Sequence, residues 1–226
     1  YYSKEMQDAV ESYLDIGGRW MYLGGNGFEW VTSYHSTVPG VIEVRKGFDS
    51  NPWNYRESIN EFDGHVSGHW YQNGRPPQRI MGVGYEEIGE VTGTLSKPYY
   101  LSESAKNSRV SFIFDDINEQ LIGDFGLLGG GAAGIEVDTF YSGWGAPAHT
   151  LVLGSSADFE WPFNLYMSFA TIDKEFRMNH KMPRSNIVFF ETSNGGAVFS
   201  VGSMAWVGAL SHNDYKNNVE KITMNV

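Results

Sequence analysis

Three segments of this chain combine many glycines with apolar residues, and this combination restricts the fold more than any other feature. They cover residues 17–28, 123–136 and 194–200. Glycine accepts positive φ and lets backbone approach a neighbour closely, although it loses more conformational entropy on folding than other residues. The first two segments contain Asn26 and Glu136. Polar groups on tight turns at strand ends are typical of functional sites in α/β proteins.

The first glycine-rich segment follows a helix pattern. Ser3 is a suitable N-cap for a helix over residues 3–16. One apolar face is predicted by the i, i+3, i+4, i+7, i+8 spacing of Met6, Ala9, Val10, Tyr13 and Leu14. Gly17 ends this helix, and residues 20–23 form a short apolar strand. Asn26 lies just beyond the carboxyl end of that strand, where open α/β sheets place ligands.

Several further elements are predicted along the chain. An alternating strand covers residues 41–46 and ends at Lys46, and residues 50–79 are an aromatic, glycine-rich loop or insertion over a site. No clean element is visible over 80–100, and residues 164–181 fit either a strand or a weak helix. Strands are also predicted at 110–114, 150–153, 186–191 and 197–201, the last two joined by an Asn-Gly turn. A final helix is capped by Asn213-Asp214 and buries Val219, Ile222 and Val226.

Composition excludes several classes of protein. The net charge of −11 argues against nucleic acid and anionic membrane surfaces as partners. Cysteine is absent, which excludes disulfides and thiolate chemistry within this chain and fits a reducing compartment such as the cytoplasm. No apolar run approaches the ~20 residues of a membrane span. The abrupt start at Tyr1, without an initiator methionine, leads us to expect that an upstream portion is missing.

Five blocks of sequence, in this order, resemble the C-terminal part of the large (beta) subunit of N,N-dimethylformamidase. They cover 15–30 (DIGGRWMYLGGNGFEW), 74–84 (GRPPQRIMGVG), 123–138 (GDFGLLGGGAAGIEVD), 188–200 (VFFETSNGGAVFS) and 205–218 (AWVGALSHNDYKNN). The resemblance implies that residues 1–226 form one α/β domain at the C-terminal end of a longer subunit. It further implies a glutamine-amidotransferase-like, flavodoxin-like sheet flanked by helices, without that family's cysteine nucleophile.

The resemblance also implies an activity and its cofactor. The family hydrolyses N,N-dimethylformamide to dimethylamine and formate with one iron, held by two tyrosines and one glutamate. Those ligands match positions upstream of Tyr1, so we expect this chain to contribute one wall of the active site and no metal ligand, and to be inactive alone. A small accessory subunit and self-association of the complete protein are the implied partners.

Three residues match family positions beside the iron or the substrate. Asn26 would present its amide to the substrate carbonyl or to an attacking water, and Lys46 would place a positive charge near the developing oxyanion. Glu136 would exchange a proton with the water or the leaving amine. Each has a plainer interpretation: a left-handed turn residue for Asn26, a solvated strand end for Lys46, and a structural partner for Glu136. A Lys46–Glu136 ion pair fits both interpretations.

Other patterns are weaker, and alternative functions stay open. His65, His69 and Asp63 fit a loop better than a metal site, because Gly64 and Gly68 disfavour a helix there. A non-catalytic glutamine-amidotransferase-like scaffold is the main alternative to an enzyme. Carbohydrate binding is a further alternative, prompted by the aromatic residues Trp53, Tyr55, Trp70 and Tyr71, which also suit core or lid packing.

Overall fold

The computed structural model describes residues 1–45, 59–89, 96–159, 163–164 and 184–226. These residues form a mixed α/β fold. Its helices are α1 (Lys4–Asp15), α2 (Gln78–Met81), α3 (Ala205–Ala209) and α4 (Asn218–Asn225). Its strands are β1 (Arg19–Tyr22), β2 (Ser33–Tyr34), β3 (Ile42–Glu43), β4 (Gly84–Gly89), β5 (Tyr99–Leu101), β6 (Leu121–Ile122), β7 (Glu136–Thr139), β8 (Leu151–Ser156), β9 (Phe163–Asn164), β10 (Ser185–Glu191) and β11 (Ala197–Ser200). None of the described helices is long and apolar enough to cross a membrane.

The strands form three sheets. The largest has six strands in the order β1-β11-β10-β8-β5-β6, and the others are β7-β4-β9 and β2-β3. Only the β1–β11 pair is parallel, whereas every other described pair of strands is antiparallel. The mixed α/β class is therefore confirmed. The flavodoxin-like arrangement is not, because a sheet of that kind is mostly parallel.

The six-stranded sheet is buried on both faces. Successive side chains of a strand point to opposite sides, so β10 and β11 supply two separate cores. One core combines Val188, Phe190 and Val198 with Tyr22, Leu14, Ile80 and Met81 from β1, α1 and α2. The other combines Ile187, Phe189 and Phe199 with Trp206, Val219 and Ile222 from α3 and α4. Tyr22, the last residue of β1, is thus anchored in the first of these cores, next to the turn at which the candidate site begins.

Helix α1 is where predicted, but its buried face is different. Ser3 Oγ accepts a hydrogen bond from the backbone N–H of Met6, which confirms the N-cap. The predicted apolar face is only partly confirmed: Leu14 is buried and Val10 packs against the same core, but Met6 and Tyr13 are 42% and 46% exposed, and Gln7 is buried in their place. Arg75 binds the carboxylates of Asp8 and Glu11 and so draws that side of the helix inward.

The hairpin between β10 and β11 agrees with its prediction. The strands are antiparallel, and Asn194 and Gly195 have φ values of 64° and 81°. Positive φ at both central residues is what a tight Asn-Gly turn requires. The strand predicted at 150–153 is also confirmed, as part of β8.

Other predicted elements need correction. Residues 110–114 are not a strand, because Ser111–Phe114 forms a 3₁₀ turn. The last helix begins later than predicted, since its N-cap is Asn217, whose side chain accepts a hydrogen bond from Glu220 N–H. Strand β4 lies within 80–100, where the sequence indicated no element. Within the strand predicted at 41–46, β3 covers Ile42–Glu43, and residue 46 lies outside the described residues. Most of 164–181 and residues 50–58 of the proposed insertion also lie outside them.

Candidate active site

Two of the three predicted site residues lie together beside the carboxyl end of β1. Asn26 is in the turn that follows β1, and Glu136 is the first residue of β7. Nδ2 of Asn26 donates a hydrogen bond to Oε1 of Glu136 over 3.2 Å. Lys46 lies outside the described residues, so its place in the site, and its ion pair with Glu136, stay predictions.

Glycines allow the turn after β1 to approach β7 closely. Asn26 and Phe28 have φ values of 57° and 58°, in the left-handed region that asparagine tolerates better than most residues. A Cβ on Gly25 would lie 2.6 Å from the backbone oxygen of Glu136, so a larger residue there would push the turn away. Asn26 is therefore a left-handed turn residue, as its plainer interpretation held, and it contacts Glu136 as well.

The two polar atoms of the Asn26 side chain differ in their hydrogen bonding. Nδ2 donates one of its two N–H groups to Glu136, whereas Oδ1 is buried and accepts no hydrogen bond from the described residues. A buried acceptor without a donor is costly. An amide oxygen accepts hydrogen bonds but cannot donate one. The geometry therefore favours a ligand that brings an O–H or N–H group next to Glu136.

Glu136 stands on a strained stretch of backbone. The residue before it, Ile135, has a φ of 69°, which is a genuine outlier for a β-branched side chain. Such strain costs on the order of 1–3 kcal/mol and is concentrated at functional sites. Burial raises the pKa of the Glu136 carboxyl, and the hydrogen bond from Asn26 acts in the opposite direction. No cation among the described residues contributes to the pKa of this carboxyl, and Asn26 is the partner that the structure shows for it.

Asp138 is a site residue that the sequence reasoning missed. It is fully buried, with Oδ1 accepting from the backbone N–H of Asn26 over 2.8 Å and Oδ2 from the Tyr22 hydroxyl over 2.9 Å. Burial raises the pKa of Asp138 to about 7, against the effect of these two hydrogen bonds. Asp138 follows Glu136 by two positions on β7, and the period of two in a strand was the signal that could have found it.

A second missed group lies near Asp138. Glu29 is 1% exposed, and its Oε1 lies 2.5 Å from Nδ1 of His69. A buried carboxylate needs a partner. His69 is close enough to form an ion pair with Glu29 when the imidazole is protonated, although neither oxygen of Glu29 makes a hydrogen bond with a described residue. The negative charge of Glu29 also contributes to the raised pKa of Asp138. The wall of the site is consequently acidic, with three carboxyl groups on β7 and the segment after β1.

The weaker sequence patterns do not form sites of their own. His65 contacts Asp63 and His69 contacts Glu29, and the described residues contain no group of three metal-ligating His, Cys, Asp or Glu side chains. Trp70 and Tyr71 are buried, which matches the packing interpretation rather than an exposed platform for a sugar. Trp53 and Tyr55 lie outside the described residues.

A groove of about 470 Å³ lies at the opposite end of β1. Arg19, Arg109 and Glu191 line it together with Phe112 and other apolar side chains. Arg109 and Glu191 form an ion pair that leaves neither charge available to a ligand without competition. Asn26 and Glu136 do not line this groove, so we place the chemistry elsewhere.

Comparison with known proteins adds the decisive observation. Residues 1–218 match the family model described as "N,N-dimethylformamidase beta subunit-like, C-terminal". The chain belongs to this family. It is 38% identical over 233 aligned residues to the N,N-dimethylformamidase beta subunit of Alcaligenes sp, and 37% identical over the same length to that of Paracoccus aminophilus. The resemblance predicted from the glycine-rich blocks is thereby confirmed.

The two dimethylformamidase subunits are much longer than this chain. Each alignment covers 97% of this chain and 29% of the relative. The chain thus corresponds to less than a third of the dimethylformamidase beta subunits that it matches. Membership of the family supports the assignment of this chain to a hydrolase subunit related to dimethylformamidase.

Proposed function

We propose that this chain forms one wall of the active site of an amide hydrolase that cleaves N,N-dimethylformamide or a similar small amide. The observation that carries the proposal is the Asn26–Glu136 hydrogen bond at the end of β1, in a chain of the dimethylformamidase family. A half-buried carboxyl with a raised pKa beside an amide with an unused acceptor is a suitable arrangement for activating water.

Glu136 is the proposed base of the reaction. Its carboxylate takes one proton from a water molecule while the water oxygen forms a bond to the carbonyl carbon of the amide. The same proton then goes to the departing nitrogen as the C–N bond breaks, so that N,N-dimethylformamide and water give formic acid and dimethylamine. Formic acid then transfers its proton to dimethylamine or to water and becomes formate. A raised pKa suits both steps, because a base and an acid work best near the pH of the reaction.

Asn26 is the proposed residue that orients the water. Its Nδ2 group holds the Glu136 carboxylate, and its Oδ1 can accept the second hydrogen of the same water. Oδ1 can bind a water but not the carbonyl oxygen of the substrate, whereas the second N–H of Nδ2 can donate to that carbonyl oxygen. We assign Asn26 to the water because Oδ1 is the side-chain atom without a partner among the described residues. Lys46 is proposed to stabilise the oxyanion.

Iron remains the proposed cofactor, with its ligands upstream of Tyr1. The described residues do not fit a complete iron site, because they contain no group of three metal-ligating side chains. Each step above is therefore assigned to residues of this chain alone. A small accessory subunit and an oligomer of the complete protein are proposed partners. The beta-subunit names of the relatives support the existence of a further subunit.

The test measures dimethylamine release from N,N-dimethylformamide by the complete protein with its accessory subunit, together with its iron content. We expect Glu136→Gln to abolish turnover without unfolding the protein. Glu191→Gln is the matched control, since Glu191 pairs with Arg109 near the other end of β1 and lies outside the proposed site. Full activity of Glu136→Gln would remove Glu136 from the mechanism. No turnover by the well-folded native protein would favour the non-catalytic scaffold.

A further inference from the structure

The backbone of the Asn26 turn is fixed by two buried side chains. Asp138 Oδ1 accepts the N–H of Asn26, and the Tyr22 hydroxyl accepts the N–H of Gly27 over 2.7 Å. The same hydroxyl donates to Asp138 Oδ2, so the two side chains form one continuous unit. Consecutive amides of the turn are thus held by a single hydrogen-bonded pair.

This pair is built into rigid parts of the fold. Tyr22 is the last residue of β1 and packs in one of the two cores. Asp138 lies on β7, and its side chain is completely buried. The N–H of Asp138 donates to the backbone oxygen of Gly202, which anchors β7 just after β11. The turn is therefore attached to β1 through Tyr22 and to β7 through Asp138.

Asp138 acts at a distance from any substrate. Its two carboxylate oxygens are both occupied, and its side chain has no exposed surface. Burial of such a carboxyl is unfavourable unless hydrogen bonds compensate for the lost contact with water. What these bonds determine is the left-handed backbone at Asn26, and with it the direction of the amide that contacts Glu136.

We propose that Asp138 and Tyr22 are positioning residues, which hold the Asn26 turn so that its side chain meets Glu136 in the geometry for hydrolysis. This inference rests on the proposed function for its effect on turnover. Its structural part, the restraint of the turn, does not depend on any activity. The two parts are therefore tested separately.

The first test measures hydrogen–deuterium exchange of a peptide covering residues 23–29 in the complete protein. We expect faster exchange in Asp138→Asn, which weakens the acceptor of the Asn26 amide, and in Tyr22→Phe, which removes the acceptor of the Gly27 amide. Tyr99→Phe is the matched control, because Tyr99 is also a buried tyrosine but its hydroxyl contacts Ser185 and the oxygen of Val201 rather than the turn. Its 23–29 peptide should exchange as in the native protein.

The second test is a double-mutant cycle on amide hydrolysis. Asp138→Asn should lower kcat by about tenfold to a hundredfold in the native background, as expected for loss of a hydrogen bond to a charged group. KM should change by less than about twofold, since Asp138 does not touch substrate. In an Asn26→Ala background the same substitution should lower kcat by less than about twofold, because its target is already gone.

The outcomes separate the inference from the function on which it rests. Unchanged exchange of the 23–29 peptide in both Asp138→Asn and Tyr22→Phe overturns the inference, as does a loss of kcat that is equally large in the Asn26→Ala background. Faster exchange with non-additive losses supports it. If the native protein shows no amide turnover, the proposed function fails, and the exchange measurement alone decides whether the pair restrains the turn. Tyr22→Phe keeps the test decisive should Asp138→Asn fail to fold.

Discussion

A single methyl group at Gly25 should damage the candidate site, whereas the same group one residue earlier should not. Neither Gly24 nor Gly25 has a positive φ, so alanine is compatible with the backbone at both positions. A Cβ at Gly25 would lie 2.6 Å from the backbone oxygen of Glu136, whereas a Cβ at Gly24 would meet its nearest neighbour, in the Tyr22 ring, at 3.4 Å. The turn of Gly25→Ala must therefore retreat by about 0.8 Å from β7 to restore ordinary contact.

That retreat lengthens the hydrogen bond between Asn26 and Glu136, which is already 3.2 Å long. A displacement near 1 Å in a catalytic arrangement can lower the rate by about 10²-fold. We expect a loss of kcat of that order for Gly25→Ala, with a destabilisation of about 1–3 kcal/mol from overpacking. Gly24→Ala should keep its kcat and should be neutral in stability, or more stable by up to about 1 kcal/mol.

The assay for this pair is steady-state dimethylamine release by the complete protein, with thermal unfolding measured on the same samples. Saturating substrate separates a loss of kcat from weaker binding. Equal kcat values in Gly25→Ala and Gly24→Ala would refute the reasoning, because the close contact between the turn and β7 would then have no bearing on turnover. A large loss in both variants would refute it as well.

Three further predictions concern titration and packing. The pKa of buried Asp138 is raised to about 7, so its contribution favours the folded state at low pH and is lost between about pH 4 and 7. At about 1.4 kcal/mol per pKa unit this contribution amounts to a few kcal/mol of unfolding free energy. The unfolding free energy measured with urea should therefore depend less on pH in Asp138→Asn than in the native protein. Parallel plots of unfolding free energy against pH for the two proteins would contradict this. In the pH profile of kcat/KM, the acidic limb should lie above the ordinary pKa of a glutamate, because burial raises the pKa of Glu136. Glu136→Gln should show no activity at any pH. An acidic limb at an ordinary glutamate pKa would argue against Glu136 as the base. Trp206→Ala should cost about 3–5 kcal/mol of unfolding free energy, since Trp206 is fully buried in the core beneath α3, and Trp206→Phe should cost less; equal losses would indicate that the cavity is not the cause.

Local patterns predicted the elements whose residues interact mainly with their neighbours in sequence. The cap at Ser3 and the turn at Asn194-Gly195 depend on short-range hydrogen bonds and on permitted φ values, and both are confirmed. The orientation of α1 could not be predicted in the same way, because Asp8 and Glu11 bind Arg75, which follows the end of the helix by sixty positions. The largely antiparallel sheet likewise results from pairings between distant segments, such as β8 with β5 and β10.

The candidate site was predicted in part for the same reason. Asn26 and Glu136 each lie in a recognisable glycine-rich segment, but neither segment indicates that the two side chains form a hydrogen bond. Asp138 was within reach, since it shares the strand alternation of Glu136. Glu29 was not, because its burial depends on His69, forty residues later. Lys46, placed by the resemblance, lies outside the described residues and stays a prediction.

The contacts that hold Asn26 in place use its own backbone and that of its neighbours. Gly25 packs against the backbone of β7, and the amides of Asn26 and Gly27 bind side chains that are buried behind the turn. In the proposed hydrolase, these contacts use backbone and buried groups only, so side chains that contact the amide can be exchanged without removing them. Such a turn is a favourable starting point for directed evolution toward other small amides, provided that Gly25 keeps its close contact with β7.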